Sequence, residues 1–214
     1  ALPNIPIDGE KVIDYRKAIV PQQQPKSLVV IGAGAIGCEF AYFYQSMGVK
    51  VTLVEFFNRI VPNEDEEISQ TLKKSFTKMG MKVLTTSRVM TSRIQDKKAV
   101  LVVSTPEGEI ELISDTVLSA AGIVANIDNI GLEYTGIIVE NGKIKTDDFY
   151  RTNIEGFYAI GDVTKGPALA HVASAEGIVC VEKIAKLSPH SIKYYNIPAC
   201  TYTQPEIASV GWTE

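Results

Sequence analysis

The sequence predicts an α/β protein built around a parallel sheet, and three observations support this fold class. A β-branched apolar run at residues 27–31 is typical of a strand that is buried on both faces. Glycines and a helical stretch at about residues 36–47 follow that run, and a second apolar strand is predicted at residues 51–54. A strand, a helix and a strand in this spacing form one βαβ unit, whose strands are parallel.

The elements around this unit follow from turn and capping signals. Residues 1–26 are predicted to be an extended lead-in that ends in a linker-like stretch of proline and glutamine. Asn63 is the predicted N-cap of the next helix, because an acidic first turn follows it, and Gly80 is the predicted end of that helix. Short strands are predicted at residues 81–85, 89–94, 99–103, 109–113 and 116–120. The middle three predict an antiparallel meander inserted into the parallel unit.

The second half of the chain combines short strands with one long helix. The Asn141-Gly142 pair predicts a hairpin. Residues 157–160 are predicted to form a buried strand, and a helix is predicted at about residues 169–185. Residues 199–202 and 207–211 have the pattern of strands.

Composition and charge restrict the partners that the chain can have. Of the 214 residues, 45% are hydrophobic, and 21 Lys and Arg stand against 25 Asp and Glu. This mild negative charge disfavours binding to nucleic acid or to an anionic membrane surface. No apolar run reaches the length of a transmembrane helix. We therefore expect no nucleic-acid partner and no membrane partner.

The cysteines and the chain ends indicate the compartment. Cys38, Cys180 and Cys200 lie far apart and form no CxxC pair, which disfavours a disulfide-stapled secreted domain and a local zinc site. We expect no metal site and a reducing compartment, which is either bacterial cytoplasm or mitochondrial matrix. The chain opens without a signal-peptide pattern, and both of its ends are expected to be cut from something longer.

The glycine loop Gly32-Ala33-Gly34-Ala35-Ile36-Gly37 has the pattern GxGxxG. It follows a buried strand and opens a helix, which is the context that makes this pattern informative. Gly32 can make the tight turn, Gly34 lets the backbone approach a pyrophosphate, and Gly37 lets the helix lie close to the strand. The loop therefore predicts a dinucleotide site at a helix N-terminus, although a plain glycine-rich turn is the alternative.

Glu55 ends the second strand about 20 residues after Gly32, where this fingerprint places a carboxylate for the adenosine ribose hydroxyls. Its charge would repel a 2′-phosphate, so the sequence favours NAD over NADP. The alternative is an ordinary surface glutamate, and Arg59 nearby is interpreted as a solvated or structural charge. Glu39, predicted in the first helical turn, fits a cap or a ligand contact equally well, whereas Cys38 is expected to pack in the core.

A second strand-to-loop site is predicted at Gly161-Asp162. A carboxylate at the end of a buried strand can bind a sugar or ribityl hydroxyl. The helix that follows, near residues 169–171, can offer backbone N–H groups to an anionic or carbonyl oxygen. His171 alone is weak evidence, because a lone histidine is more often structural than catalytic.

Taken together, these motifs resemble the flavin-dependent disulfide reductases. The matching segments are residues 5–9, 28–39, 51–56, 59–62, 158–162, 169–171 and 202–211. The resemblance implies a Rossmann-like NAD-binding domain joined to part of an FAD-binding domain, with NAD and FAD as cofactors. It implies a lead-in from the FAD domain at residues 1–26, the NAD domain at 27–145, the second part of the FAD domain at 146–190 and the start of an interface domain at 191–214.

The resemblance also implies roles for individual residues. Residues Gly32, Ala33, Gly34, Ala35, Ile36 and Gly37 would cradle NAD, with Glu39 near the nicotinamide, Glu55 on the ribose, Val89 at the adenine and Gly122 beside the cofactor. Gly161 and Asp162 would serve the FAD ribityl chain, and Ala168, Leu169, Ala170 and His171 would approach the flavin ring through main-chain N–H groups. No catalytic residue is assigned.

The activity implied for the parent protein is oxidation of a dithiol, with electrons passing through a disulfide and FAD to NAD. A homodimer within a 2-oxo acid dehydrogenase complex is implied, with small-molecule dinucleotides as the other partners. The chain lacks the family's CxxxxC pair and its His–Glu acid–base pair, so by itself it is expected to be inactive. It also has Gly-Ile-Val-Ala-Asn at residues 122–126, where the family has Gly-Arg-x-Pro-Asn.

Three alternatives to this function stay open. The first is another disulfide reductase, of the transhydrogenase or mercuric reductase type. The second is a free-standing NAD-binding sensor module without redox chemistry. The third is a doubly wound fold that binds no nucleotide, which the glycine loop and Glu55 disfavour.

Overall fold

The computed structural model describes Leu2 and residues 4–213. Ala1 and Pro3 of the predicted lead-in, and Glu214 of the predicted interface segment, lie outside the described residues. The chain divides into two compact units. The first unit comprises the described residues up to Gly122 together with residues 198–213, and the second comprises Ile123–Ile197. Which cofactor domain each stretch belongs to stays a prediction, because compactness does not identify a ligand.

The strands and α-helices have the following bounds. In the first part of the chain they are β1 (Val12–Ile13), α1 (Tyr15–Ile19), β2 (Ser27–Ile31), α2 (Ala35–Ser46), β3 (Lys50–Val54), α3 (Glu66–Lys78), β4 (Lys82–Leu84), β5 (Arg88–Gln95), β6 (Lys98–Thr105), β7 (Gly108–Ser114) and β8 (Thr116–Ser119). They continue with β9 (Val139–Glu140), β10 (Lys143–Ile144), α4 (Ala170–Ile184), β11 (Ala199–Thr201) and β12 (Ile207–Ser209).

The first unit is organised around a five-stranded sheet in the order β1-β8-β2-β3-β4. Every neighbouring pair in this sheet is parallel. Strands β5, β6 and β7 form a separate antiparallel sheet, which is the meander expected between β4 and β8. The α/β class, the parallel sheet and the inserted meander are therefore confirmed.

Strand β2 is buried on both faces, as its continuous apolar run predicted. Leu28 and Val30 belong to a hydrophobic cluster that contains buried residues of α2 and α3. Val29 and Ile31 belong to a second cluster, which contains buried residues of β6. Because side chains alternate along a strand, β2 holds the helical layer on one face and the meander on the other.

Part of the lead-in belongs to the sheet, which its sequence did not indicate. Val12 and Ile13 pair with Val117 and Leu118 of β8, so β1 forms one edge of the sheet. The Oδ1 atom of Asp8 accepts hydrogen bonds from three backbone N–H groups, those of residues 10, 11 and 12, at 2.7, 2.8 and 2.9 Å. A strand of two residues is too short to show a period in the sequence.

Two expected elements are corrected by the structure. Asn63 is not the N-cap of α3: Asp65 occupies that position, because a turn closed by the Glu64 N–H on the Val61 carbonyl oxygen delays the helix. Residues 157–160 do not form a buried strand. In the described chain they form one isolated bridge, between Arg151 and Tyr158, and Phe157 is half exposed.

Other elements agree with the sequence. The Asn141-Gly142 pair joins β9 to β10 in an antiparallel hairpin, and Gly80 follows the end of α3 with a positive φ of 88°. The helix predicted at residues 169–185 is α4. Among the helices of the described residues, none has both the length and the apolar composition needed to cross a bilayer.

One carboxylate joins β2 to the turn before β8. The Oδ2 atom of Asp115 accepts hydrogen bonds from the backbone N–H groups of Lys26 and Ser27 at 3.0 and 2.9 Å and from the Ser27 hydroxyl at 3.0 Å. Burial raises the pKa of Asp115, but the Ser27 and Lys26 hydrogen bonds and the Lys98 charge lower it more, so the pKa lies below its ordinary value.

Asp115→Asn is expected to lower the free energy of unfolding by about 1–2 kcal/mol at neutral pH, because an ionised acceptor of three hydrogen bonds is lost. The folded pKa is lower than the unfolded value of about 3.9, so this stabilisation is complete above that value and is lost as the pH falls through the folded pKa. Urea unfolding followed by circular dichroism measures the difference at each pH, with Asp96→Asn in an exposed turn as the control. A difference that does not begin to shrink as the pH falls below about 3.9 would contradict the assignment.

Candidate functional site

Two glycines of the GxGxxG loop are required by the fold itself. Gly32 has a φ of +98°, and a Cβ at this position would lie 2.6 Å from the carbonyl oxygen of Ala120, directly after β8. A Cβ on Gly37 would overlap the carbonyl oxygen of Gly32. These contacts bring the start of α2, the end of β2 and the end of β8 together at the carboxyl edge of the sheet, where ligands of such sheets bind.

Gly34 has a different environment, because a Cβ there would meet no atom within 4 Å. This residue is the N-cap of α2 and makes no side-chain cap hydrogen bond. Ala33 is fully buried below the loop, whereas Ala35 and Ile36 are exposed. The loop is therefore an open cradle of backbone N–H groups at a helix N-terminus, which suits a pyrophosphate.

Glu55 is buried, so its interpretation as an ordinary surface glutamate is wrong. Its side chain follows β3 and is 5% exposed. The Oε2 atom accepts a hydrogen bond from the Ala33 N–H at 2.6 Å, and the Oε1 atom accepts one from the Phe57 N–H at 2.8 Å. The carboxylate thus ties the glycine loop to the end of β3, and each oxygen keeps a second lone pair for another donor.

Glu39 lies beyond the first turn of α2, because the helix begins at Ala35, so its expected place in that turn is corrected. Its Oε1 atom accepts a hydrogen bond from the Tyr202 N–H at 2.8 Å, next to β11. Cys38 is fully buried, and burial raises the pKa of its thiol to about 12. Cys38 therefore packs in the core, as expected.

Arg59 plays the structural part that the sequence suggested. Its guanidinium donates a hydrogen bond to the Pro62 carbonyl oxygen at 3.1 Å, within the turn that precedes α3. The side chain is half-buried. Arg59 therefore stabilises a local turn.

Chain neighbours of Val89 and Gly122 contact this site, whereas Val89 itself packs in the second core cluster. Ser87, two residues before Val89, donates its N–H to the Glu55 carbonyl oxygen at 2.8 Å. Gly122 lies two residues after Ala120, which Gly32 contacts. It has a φ of +89°, and its N–H donates to the Ala120 carbonyl oxygen. The side chain of Val124, in the stretch that departs from the family pattern, is 89% exposed.

The second candidate site lies wholly in the second unit. Gly161 and Asp162 begin a 3-10 turn, Gly161–Val163. Gly161 has a φ of +74°, and its N–H donates to the Oε2 atom of Glu176 at 2.5 Å. Asp162 is exposed, and within the described residues its carboxylate has no hydrogen-bond or ion-pair partner. It is therefore available to hydroxyl donors.

Helix α4 begins directly after this loop. Leu169 is its N-cap, and no side chain caps the first turn. The N–H of Leu169 is already donated to the Pro167 carbonyl oxygen at 3.0 Å. Ala168 is half-buried, whereas Ala170 and His171 are exposed at the start of the helix. The first turn can donate backbone N–H groups to an acceptor oxygen.

The sequence did not reveal the side chains that support this loop. Glu176 is 1% exposed on α4, and its Oε1 atom accepts a hydrogen bond from the Tyr194 hydroxyl at 2.6 Å. The sequence feature that could have revealed Glu176 is an acidic residue inside an apolar helical stretch. Within the described residues, no group of three or more His, Cys, Asp or Glu side chains could hold a metal ion.

Sequence comparisons match this chain to one family of known proteins. A sequence model of the family described as pyridine nucleotide-disulphide oxidoreductase matches residues 1–177. Proteins named dihydrolipoyl dehydrogenase from Rhizobium etli and Bacillus subtilis are 45% and 39% identical over the full chain. The chain spans about half the length of these relatives, 45% of each.

Solved structures share the fold. The structure of LpdA from Mycobacterium tuberculosis has a TM-score of 0.90 and 29% identity, and the match covers 99% of this chain and 46% of that one. A Cu(II) complex of the HOCl-induced flavoprotein disulfide reductase RclA from Escherichia coli has a TM-score of 0.90 and 23% identity. That match covers 100% of this chain and 49% of RclA, and it supports the fold alone.

Substituting two glycines of the loop tests which of them the packing of the fold requires. Gly37→Ala is expected to lower the free energy of unfolding by at least about 2 kcal/mol, because the new methyl group would overlap the Gly32 carbonyl oxygen. Gly34→Ala adds the same methyl group in open space, so a loss within about 1 kcal/mol is expected. Thermal unfolding followed by circular dichroism compares the two variants. Equal losses would contradict the packing described for the loop.

Proposed function

The chain belongs to the pyridine nucleotide-disulphide oxidoreductase family, and from that premise we propose that its first unit binds NAD through the glycine loop. The observation that carries this proposal is the open cradle at Gly34, at the uncapped N-terminus of α2. The pyrophosphate would lie on the N–H groups of this turn. The adenosine ribose would lie beside Glu55, whose second lone pairs can accept from its hydroxyls.

The charge of Glu55 is the proposed basis for preferring NAD over NADP. This carboxylate is held by two backbone N–H groups, so it cannot turn away from a ligand without breaking them. A 2′-phosphate placed beside a fixed and buried negative charge would be repelled. Arg59 is engaged with Pro62 and is not assigned to a phosphate.

We propose that the second unit contributes to an FAD site. The unpartnered carboxylate of Asp162 fits a ribityl hydroxyl, and the uncapped first turn of α4 fits a carbonyl oxygen of a flavin ring. Bound flavin and nicotinamide supply the redox chemistry of such enzymes. The residues of this chain would bind and orient both cofactors, with Gly161, Ala168, Leu169, Ala170 and His171 forming the flavin side.

The proposed activity of the whole protein is oxidation of a dithiol, dihydrolipoamide, with NAD as the acceptor. The names of the relatives favour this reaction over the transhydrogenase and mercuric reductase types. A homodimer in a 2-oxo acid dehydrogenase complex is part of the proposal. So is a reducing compartment, bacterial cytoplasm or mitochondrial matrix, which the three free cysteines support.

The 214 residues alone are proposed to be inactive, because their sequence contains no CxxxxC pair to accept electrons from a dithiol. Incubating the purified chain with dihydrolipoamide, FAD and NAD tests this statement directly. NADH formation above that of a sample without protein would overturn it.

Nucleotide titration with a Glu55 variant tests the NAD site. The unchanged chain is expected to bind NADH at least about tenfold more tightly than NADPH, because only the latter carries a 2′-phosphate. Glu55→Gln is expected to reduce the difference between the NADH and NADPH affinities. It is also expected to lower the free energy of unfolding by about 1–3 kcal/mol, because the amide cannot accept from both N–H groups.

Isothermal titration calorimetry measures both affinities, and Glu107→Gln in an exposed turn of the meander is the matched control. If the ratio of the NADH and NADPH affinities is the same in Glu55→Gln, in the control and in the unchanged chain, Glu55 does not determine the preference for NADH. The absence of NADH binding by the unchanged chain would overturn the proposed function.

A further inference from the structure

The second unit contains a buried carboxylate that the proposed function does not use. Glu176 on α4 is 1% exposed, and a charged side chain is rarely buried so fully unless polar partners hold it. Both of its oxygen atoms are occupied. Oε2 accepts from the Gly161 N–H at 2.5 Å, and Oε1 accepts from the Tyr194 hydroxyl at 2.6 Å. This one side chain therefore links the Gly161 backbone to Tyr194 by hydrogen bonds.

Tyr194 continues the hydrogen-bonded chain into the core of the unit. It begins the 3-10 turn Tyr194–Asn196, and its hydroxyl lies 3.1 Å from that of Tyr150, which is itself 1% exposed. Burial raises the pKa of Tyr194, and the hydrogen bond with Glu176 raises it further. The Tyr194 hydroxyl therefore stays protonated near neutral pH and donates its hydrogen bond to the carboxylate.

The ring of Tyr194 supports the loop at residues 161–169, which contains Gly161, at a second point. Gly166 has a φ of +100°, and a Cβ there would lie 2.5 Å from the Cε1 atom of Tyr194. The loop backbone at Gly166 is therefore in close contact with this ring. Lys143 also donates a hydrogen bond to the Gly166 carbonyl oxygen, at 3.1 Å. Tyr194 thus contacts one end of the loop with its ring and reaches the other end through Glu176.

Asp162 lies between these two supports. It is adjacent to Gly161, whose N–H is held by Glu176, and it precedes Gly166 by four residues. A Cβ on Gly161 would lie 3.2 Å from the Cβ of Ala173, so the loop also packs closely against α4. The exposed carboxylate of Asp162 is therefore presented from a braced backbone, although its own side chain has no partner in the described part of the chain.

We propose that Tyr194 is a positioning residue for flavin binding: its hydroxyl fixes Glu176, Glu176 holds Gly161, and Asp162 is thereby presented to the ribityl hydroxyls. This inference rests on the FAD site of the proposed function and adds the residues that organise it. Tyr194 and Glu176 touch no cofactor in this scheme. They act by reducing the number of backbone conformations that flavin binding would otherwise have to restrict.

Tyr194→Phe is the sharpest variant, because it keeps the ring against Gly166 and removes only the hydroxyl. One oxygen of the buried Glu176 then loses its donor, and the carboxylate can turn away from Gly161. We expect FAD to bind roughly tenfold more weakly and NADH binding to be unchanged. Tyr134→Phe, at an 88% exposed position of the same unit, is the matched control.

Flavin binding is measured on the purified protein in its complete natural form. FAD is added to flavin-free protein, and the change of flavin fluorescence gives the dissociation constant. Combining Tyr194→Phe with Asp162→Asn separates positioning from simple stabilisation. If Tyr194 acts through Asp162, the second substitution costs less affinity in the Tyr194→Phe protein than in the unchanged one. If the fold-losses of FAD affinity from the two single substitutions multiply in the double variant, the two residues act independently. Tyr194 then only stabilises the unit, and the inference is overturned.

The remaining outcomes are also decisive. If the unchanged protein binds NADH and no FAD, the flavin part of the proposed function fails, and this inference fails with it. If FAD binds the unchanged protein and Tyr194→Phe equally well, this inference alone fails. Should Tyr194→Phe not fold, Glu176→Gln tests the same link, because only one of the two acceptor oxygens remains. We expect weaker FAD binding in that variant, and an unchanged FAD affinity would overturn the inference.

Discussion

The hydrogen bond from the Ala33 N–H to the Glu55 carboxylate is the interaction on which the first unit's site depends. It joins the loop after β2 to the end of β3 at 2.6 Å, and Glu55 is buried. The second oxygen of Glu55 holds the Phe57 N–H. A buried charge is costly unless it is paired, and here the backbone supplies the donors. Under the proposed function, the same charge would lie beside the adenosine ribose of NAD.

Close backbone packing completes the loop. Gly32 has room only for hydrogen beside Ala120, and Gly37 has room only for hydrogen beside Gly32. Of the three loop glycines, only Gly34 has free space around it, so the fold requires two of them and leaves the third open to a ligand. The two faces of β2 hold the helices and the meander, so the edge that carries the loop is supported from both sides.

The sequence predicts the elements that depend on near neighbours and misses those that depend on distant ones. The buried run of β2, the glycine loop and the meander have local patterns, and the structure contains them. The N-cap at Asp65 was missed because a preceding turn displaces the helix start. The burial of Glu55 depends on a loop 22 residues away, and the support of Glu176 on a tyrosine 18 residues away. Residues 157–160 have the composition of a buried strand, but strand formation needs a partner ladder that composition does not reveal.

NAD binding on the glycine loop of the first unit is the proposal on which the rest of the function depends. A titration of the isotope-labelled chain with NADH, followed by two-dimensional amide NMR, tests it residue by residue. We expect the largest shifts at the amides of Ala33, Gly34 and Gly37, with smaller shifts for Gly161 and Ala170. Largest shifts in the second unit, with an unperturbed glycine loop, would contradict the proposal.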